Sequence, residues 1–497
     1  ITLASTGVLV RVIERDSAPG GKLRPVQVGA VALDAGPTVF TMRSVFDELF
    51  ALAGQHFDRH LRLTPLSTLA RHVWQGQEQL DLPADLDAAA AEIGRFAGSR
   101  AAAQYLDFCR RSQRTFDTLE PHYLRAQRPT PLSLAWRCGL EGLPGLMRIS
   151  PFLTLWKELG RRFDDPRLRQ LFARYATYGG SSPMAAPATL MLIAHVERSG
   201  VWSVDGGMYK LASVLMALAQ SLGVRFDFGR SVEQLRSQGG KVSGVVLDGG
   251  ETLTADAVVF NGDASALAQG LLGDDARRAV PGIRPSARSL SALTWNLRTS
   301  VSDFDLARHT VFFSRDYVRE FDDLFKRHTL PEEPTVYVCA QDRLEHAPGG
   351  PARPERLLCL VNAPARADIE PLTHEEIAAC ETRTFRRLSS LGLTLDPAAP
   401  GRIRHQPADW AHRFAGTGGA LYGQATHGWR ASFNRPGARS HLPGLYLAGG
   451  STHPGAGVPM AALSGMLAAR QLLTDTAGRT STSTWRLAAM PGGTSTP

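Results

Sequence analysis

The stretch GLYLAGGSTHPGAGVPMAALSGMLAARQ, residues 444–471, constrains this chain more than any other. Leu445 to Ala448 reads as a buried strand that stops at Gly449-Gly450. A loop, Ser451 to Gly457, opens a helix with Pro459 in its first turn, where a missing N–H breaks no helical bond. That helix carries Ala461, Ala462, Ser464, Gly465 and Ala468 on one side. Small residues there permit close packing or the close approach of a flat ligand. Free N–H groups at the helix start face a negatively polarised ligand atom well. A tightly packed buried helix is the competing reading. Strand, paired glycines, Gly-rich loop and Pro-started helix in succession make it the weaker one.

The chain's first residues carry a second pattern. Leu3 to Ser5 reads as a short helical tail, and Val8 to Ile13 as a buried parallel strand. Glu14 follows it, then Gly20-Gly21. In a dinucleotide-binding βαβ unit, an acid after the second strand accepts from ribose hydroxyls, and glycines let backbone approach a pyrophosphate. A plain strand ending in a surface glutamate explains these residues equally well. The first strand and the G-x-G-x-x-G turn are absent from the sequence. The expectation is an N-terminally truncated reading of a longer product, with weakened cofactor binding.

Composition narrows the classes. The chain has 497 residues, enough for more than one domain, and 43% are hydrophobic. The net charge of +8 comes without a basic run interleaved with aromatics, so nucleic acid is not an expected partner. Cys109, Cys138, Cys339, Cys359 and Cys380 are scattered, with no C-x-x-C spacing. No metal site is expected, and the pattern suits a reducing cytoplasm. No apolar run approaches a membrane-spanning length.

Residues 31–43 read as a strand and a tight turn through Asp34, Gly36, Pro37 and Thr38, and 44–130 as mostly helical. Residues 131–162 mix Leu, Trp, Phe and Ile with Arg137, Arg148, Lys157, Arg161 and Arg162. That suits either a helix pair at a membrane interface or a buried pair with a charged rim. A helix over 208–222 precedes short strands and Gly-rich turns, the pattern of a β-meander on a parallel sheet. Residues 288–365 are strand-rich and imply a sheet with one covered face, and 372–391 a helix with acids first and bases last.

Together these pieces resemble the carotenoid desaturases, the bacterial phytoene desaturase family of flavoproteins. The resemblance runs from Leu3 to about Leu473, through VIERDSAPGGKL, DAGPTVFTMR, GGSSPMAAPATL, DGGM, HTVFFSRDYVREFDDLF, GGALYGQATHGWRASFNRPG and GLYLAGGSTHPGAGVPMAALSG. The segments DAGPTVFTMRSVFDELFA and YATYGGSSPMAAPATL look most like the hydroxyneurosporene/methoxyneurosporene 3,4-dehydrogenases of purple bacteria. The fold implied is α/β: an FAD-binding Rossmann-like domain of the amine-oxidase/p-hydroxybenzoate-hydroxylase type, lacking its first strand and glycine loop, with an α+β substrate domain. The cofactor domain would be assembled from 1–90, 205–288 and 395–475, and the substrate- and membrane-binding domain from 91–204 and 289–394. Residues 476–497, rich in Ser, Thr and Gly, read as a disordered tail.

The resemblance implies FAD, held by Glu14 at the ribose, by Gly20, Gly21 and Lys22 at the pyrophosphate, and by Val232 at the adenine. Gly36, Pro37 and Thr38 would approach the flavin. Gly450, Ser451 and the loop Gly455, Gly457, Val458 and Pro459 would meet the isoalloxazine and ribityl chain. The activity implied is desaturation of an apolar carotenoid, with hydride passing to flavin and a proton to a weak base. Asp34, His427 and His453 are candidates for that base by motif position alone. Oxygen or a quinone would reoxidise the cofactor. The location implied is cytoplasmic, peripheral on the inner membrane, which favours the interfacial reading of 131–162. Rival readings are a phytoene desaturase, another amine-oxidase-fold flavin enzyme, and a flavin-free lipid carrier of the same fold. The intact 449–459 segment argues against the carrier.

Overall fold

The structure is a computed structural model and describes residues 1–480 except 149, 151, 302, 344–353 and 397–399. Two parallel strand pairs form the first layer. Arg11–Glu14 pairs with Arg225–Phe228, and Val258–Phe260 pairs with Leu445–Leu447. The first of these strands is shorter than the sequence suggests. Val8 to Val10 are not in it, and Leu9 is 97% exposed. The antiparallel meander Val232–Gln238, Lys241–Leu247 and Thr252–Thr254 sits where the Gly-rich turns place it.

Beside these pairs, the helices Arg43–Leu52, Tyr209–Ser221 and Val458–Thr480 share one apolar core. Phe40, Phe46, Phe50 and Phe57 meet there with centroids 5.0–6.1 Å apart. Aromatic pairs at such spacings add to the burial of their area.

A seven-stranded sheet forms the second layer. Its order is Ile403–His405, Ser291–Thr299, Glu355–Ala363, Val336–Ala340, His309–Phe312, Thr68–Val73 and Gln79–Pro83. All neighbours are antiparallel except His309–Phe312 with Thr68–Val73. The stretch 44–130 is mostly helical, as the sequence suggests, through Arg43–Leu52, Leu86–Ala97 and Ser99–Leu119, but the sequence also assigns all of 1–90 and 395–475 to the cofactor domain. Instead, the hairpin 68–83 and the strand 403–405 hydrogen-bond into this sheet. Their partners lie more than a hundred residues away in sequence, so local pattern could not place them.

Alternation fixes the two faces of the sheet. Leu293, Trp295, Leu297, Cys359 and Val361 point to the helix His374–Ser390 and its Ile377, Cys380 and Leu388. A capping box starts that helix: Thr373 Oγ1 accepts from the Glu376 N–H at 3.2 Å, and Glu376 accepts from the Thr373 N–H at 2.8 Å. Both faces are covered, where the alternation suggested one. The other face meets a helical lobe, including Ser99–Leu119, Leu155–Arg162 and Pro166–Ala173. Phe108, Phe163 and Phe172 form its centre. The terminal helix runs on to Thr480, past the expected start of a disordered tail at 476, and 481–497 lie outside the described residues.

Candidate functional site

A cavity of about 2620 Å³ joins the two layers. The parallel pairs line one part, and the inner face of the large sheet and the helical lobe line the rest. Glu14, Gly20, Gly21, Lys22, Gly36, Pro37, Thr38, Val232, Gly450, Ser451, Gly455, Gly457, Val458 and Pro459 all border it.

Local structure explains how each group arrives there. Glu14 ends its strand; one carboxylate oxygen accepts the Asp16 N–H at 2.8 Å, and the other has no partner among the described residues. Gly21 has φ +57°, and a Cβ there would meet nothing within 4 Å, so cavity space reaches the backbone itself. Gly36 packs the other way. A Cβ there would lie 1.9 Å from the Lys22 carbonyl oxygen, so the 35–38 turn rests directly on the 20–23 backbone. Lys22 donates to the Leu421 carbonyl at 2.6 Å and lies 5.1 Å from the Phe414 ring centroid. Burial pulls its ammonium below the usual lysine range.

The helix Val458–Thr480 brings its first turn to the cavity, with Val458, Pro459, Met460 and Ala461 on the wall. The small residues divide between its two sides. Ala461, Ala462, Gly465 and Ala469 face the cavity. Ser464 faces the strand behind, where its hydroxyl accepts from the Gly449 N–H at 2.7 Å, and Ala468 is buried. Ser451 Oγ accepts from the Ala264 N–H at 3.1 Å, which ties the loop to the next helix start.

Arg435 was not singled out from the sequence, although it lies within the FNRPG run. It is buried, borders the cavity and donates to the carbonyls of Tyr422, Gln424 and Gly450. One guanidinium thus fastens the 422–424 segment to the paired glycines. A polar group on the sheet side was missed as well. Tyr337 Oη lies 2.7 Å from both Thr38 Oγ1 and His309 Nδ1. Burial lowers the His309 pKa to about 3, so its ring is neutral.

The three candidate bases are not among the residues lining the cavity. Asp34 accepts from the Met208 and Tyr209 N–H groups at 2.7 and 3.0 Å, at the start of the helix Tyr209–Ser221. His427 Nε2 accepts from the Ser182 N–H at 3.0 Å, and burial lowers its pKa to about 4. His453 donates from Nε2 to the carbonyls of Tyr123 and Ala126 at 2.8 and 3.0 Å, again with a pKa near 4 through burial. Each of the three joins segments distant in sequence.

Parallel strands ending in an acid, open glycine backbone and a helix start on one cavity define a dinucleotide-binding flavoprotein architecture. The chain belongs to the flavin containing amine oxidoreductase family, whose family model matches residues 1–473. Its relatives include a hydroxyneurosporene desaturase of Rubrivivax gelatinosus, 52% identical over all of this chain and 94% of that protein. A 1-hydroxycarotenoid 3,4-desaturase of Flavobacterium sp. is 28% identical over 94% of this chain and 95% of that one. A solved putrescine oxidase triple mutant shares the fold, with TM-score 0.59 and 13% identity over 95% of each chain.

The residues present fit FAD on their own geometry. An acid with a free oxygen suits a ribose, open backbone at Gly21 suits a pyrophosphate, and a helix start suits the electron-rich edge of a flavin.

Proposed function

We propose that this protein is an FAD-dependent carotenoid desaturase that introduces the C-3,4 double bond into a 1-hydroxy or 1-methoxy carotenoid. The observation that carries the reading is the continuity of one cavity. It passes from the glycine loops to a largely apolar wall that includes Val311, Leu358, Leu360 and Ile193. A long apolar chain can lie in such a space while one of its ends reaches the cofactor.

FAD, when bound, would supply the acceptor for the hydride, and with it the two electrons, removed from an allylic C–H. The chain's own residues do the rest. Glu14, Gly20, Gly21 and Lys22 hold the dinucleotide. The 36–38 turn and the 450–459 loop hold the ring against the cavity. The apolar walls exclude water and align the polyene, so two adjacent C–H bonds face one spot. The second hydrogen leaves as a proton to water or a weak base. Oxygen or a quinone takes the electrons.

In the discontinuous division we favour, the cofactor domain takes 1–65, 205–288 and most of 406–475. The substrate domain takes the two insertions together with the 68–83 hairpin and the 403–405 strand. Among the described residues, no helix is long and apolar enough to cross a membrane. Access to a lipid-dissolved substrate falls instead to an exposed apolar edge. Leu132, Trp136 and Phe152 are 85%, 83% and 67% exposed, beside the cavity residues Leu134, Ala135 and Trp429. We place this edge in the headgroup region on the cytoplasmic face of the inner membrane.

The test is turnover. Purified protein loaded with FAD, given 1-hydroxyneurosporene in liposomes, should yield a product with one further conjugated double bond and a red-shifted absorption. Flavin uptake without any change in the polyene spectrum would overturn the reading.

A further inference from the structure

The cavity wall holds a guanidinium that the fold leaves partly unpartnered. Arg174 closes the helix Pro166–Ala173 and borders the cavity. Its Nη2 donates to Tyr178 Oη at 2.9 Å, and its Nε is buried without a partner. No hydrogen bond or ion pair engages Nη1 among the described residues, and no carboxylate lies within ion-pair distance of the group. Two aromatic rings take one side, with the Tyr178 and Tyr337 centroids 5.1 and 6.0 Å from Cζ.

The positive charge is nevertheless balanced. Tyr178 donates its own hydroxyl hydrogen bond to Glu197 Oε1, and Glu197 Oε2 accepts from Tyr175 at 2.8 Å. Arginine, tyrosine and glutamate therefore form a neutral chain whose Nη1 is left without a partner, on a residue that borders an otherwise largely apolar cavity. Buried donors without acceptors are costly, and a fold keeps them where a ligand supplies the acceptor. Because Glu197 already offsets the charge, the fitting acceptor is neutral. A hydrocarbon polyene offers none. A hydroxyl or an ether oxygen does.

The position agrees with the chemistry. Tyr337, which lies against Arg174, bonds Thr38, a residue of the turn assigned to the flavin. An oxygen on C1 is separated from a reacting C3–C4 bond by a single carbon, C2. Whatever binds that oxygen must sit close to the cofactor. Arg174 is one aromatic ring from the 36–38 turn.

We propose that Arg174, positioned by Tyr178 and Glu197, binds the C1 oxygen of the substrate through Nη1 and so selects oxygenated carotenoids over the hydrocarbon. This rests on the desaturase reading above. Since a guanidinium only donates, hydroxyl and methoxy substrates are both accepted.

The test compares kcat/KM of the full chain, loaded with FAD in liposomes, on 1-hydroxyneurosporene, 1-methoxyneurosporene and neurosporene. The wild type should prefer both oxygenated substrates to the hydrocarbon by about 10- to 100-fold, the cost of leaving one buried donor unsatisfied. In Arg174→Met that ratio should collapse toward one, chiefly through KM. In Tyr178→Phe it should fall by a smaller factor, about 3- to 10-fold, because the guanidinium loses its anchor but keeps its charge. Flavin absorbance reports whether each variant folds. A third measurement needs no variant: a short tertiary-alcohol isoprenoid should inhibit the wild type more strongly than the matching hydrocarbon. An undiminished ratio in Arg174→Met, or equal inhibition by alcohol and hydrocarbon, overturns the proposal. If the wild type converts carotenoids without preferring oxygen, the assignment of Arg174 fails and the desaturase reading stands. If it converts none of the three, the desaturase reading itself fails.

Discussion

Asp34 shows how a side chain in a functional-looking turn can serve the scaffold. Its carboxylate takes the Met208 and Tyr209 N–H groups, and a Cβ on Gly207 would lie 2.5 Å from its Oδ2. Asp34→Ala leaves two helix-start donors without this acceptor and should cost about 1–2 kcal/mol of stability, read from denaturant unfolding. Asp34→Asn, which keeps one acceptor oxygen, should cost less. If Asp34→Asn instead abolished turnover at unchanged stability, a direct chemical role would be restored to this residue. At Gly36 the expected effect is on the cofactor. The 1.9 Å approach to the Lys22 carbonyl leaves no room for a methyl, so Gly36→Ala should displace the turn and weaken FAD binding at least tenfold in a fluorescence titration. Residue types were legible here because glycine and an acid have narrow uses. What His427 and His453 hold was not, since their partners are backbone groups 245 and more than 300 positions away.

Among the elements, the terminal helix was the most legible. Its proline start, its glycine-rich approach and its small residues all have local causes. The split of its small residues between cavity and core depends on which neighbours it meets. Gly465 gives a clean probe, because a Cβ there meets nothing within 4 Å and the residue borders the cavity. Gly465→Ala should raise stability by about 0.5–1 kcal/mol through helix propensity. Gly465→Leu should fold with a similar melting temperature yet take up FAD or substrate at least tenfold more weakly. A Gly465→Leu protein that binds both as the wild type does would place the ligand elsewhere. The 68–83 hairpin is the opposite case. Its alternation is short and runs into the Ala-rich helix Leu86–Ala97, and only pairing with His309–Phe312 makes it part of the large sheet.

The whole molecule carries a pH signature. Burial holds His72 and His309 near pKa 3, and His427 and His453 near 4. Below the ordinary histidine value of about 6.5, the unfolded chain binds protons that the fold refuses. Their contribution is complete above pH 6.5 and is lost as pH falls toward 4, at about 1.4 kcal/mol per pH unit for each fully buried ring. Glu320, pushed up by burial to about 7, works in the other direction between its ordinary 4.5 and 7. Four histidines outweigh one glutamate, so the melting temperature should drop steadily from pH 6.5 to 4.5. A flat profile would show these rings to be solvated. The exposed edge predicts a second bulk property: replacing Leu132, Trp136 and Phe152 by serine should lower partition onto anionic vesicles several-fold while leaving flavin content intact.

By itself, the sequence determined the parts whose physics is local: the proline-started helix that opens at Val458, the acids-first, bases-last helix over 374–390 and the alternating strands of 291–363. Propensity, capping and turn chemistry act over a few residues, so they can be read from a few residues. The tertiary structure decided which strands share the seven-stranded sheet, that both of its faces are covered, and that Asp34, His427 and His453 fasten backbone. It alone brought Arg174, Tyr178, Glu197 and Tyr337 into one buried group. Those outcomes depend on pairing across long stretches of chain and on which polar groups lose water, and neither is set before the layers close.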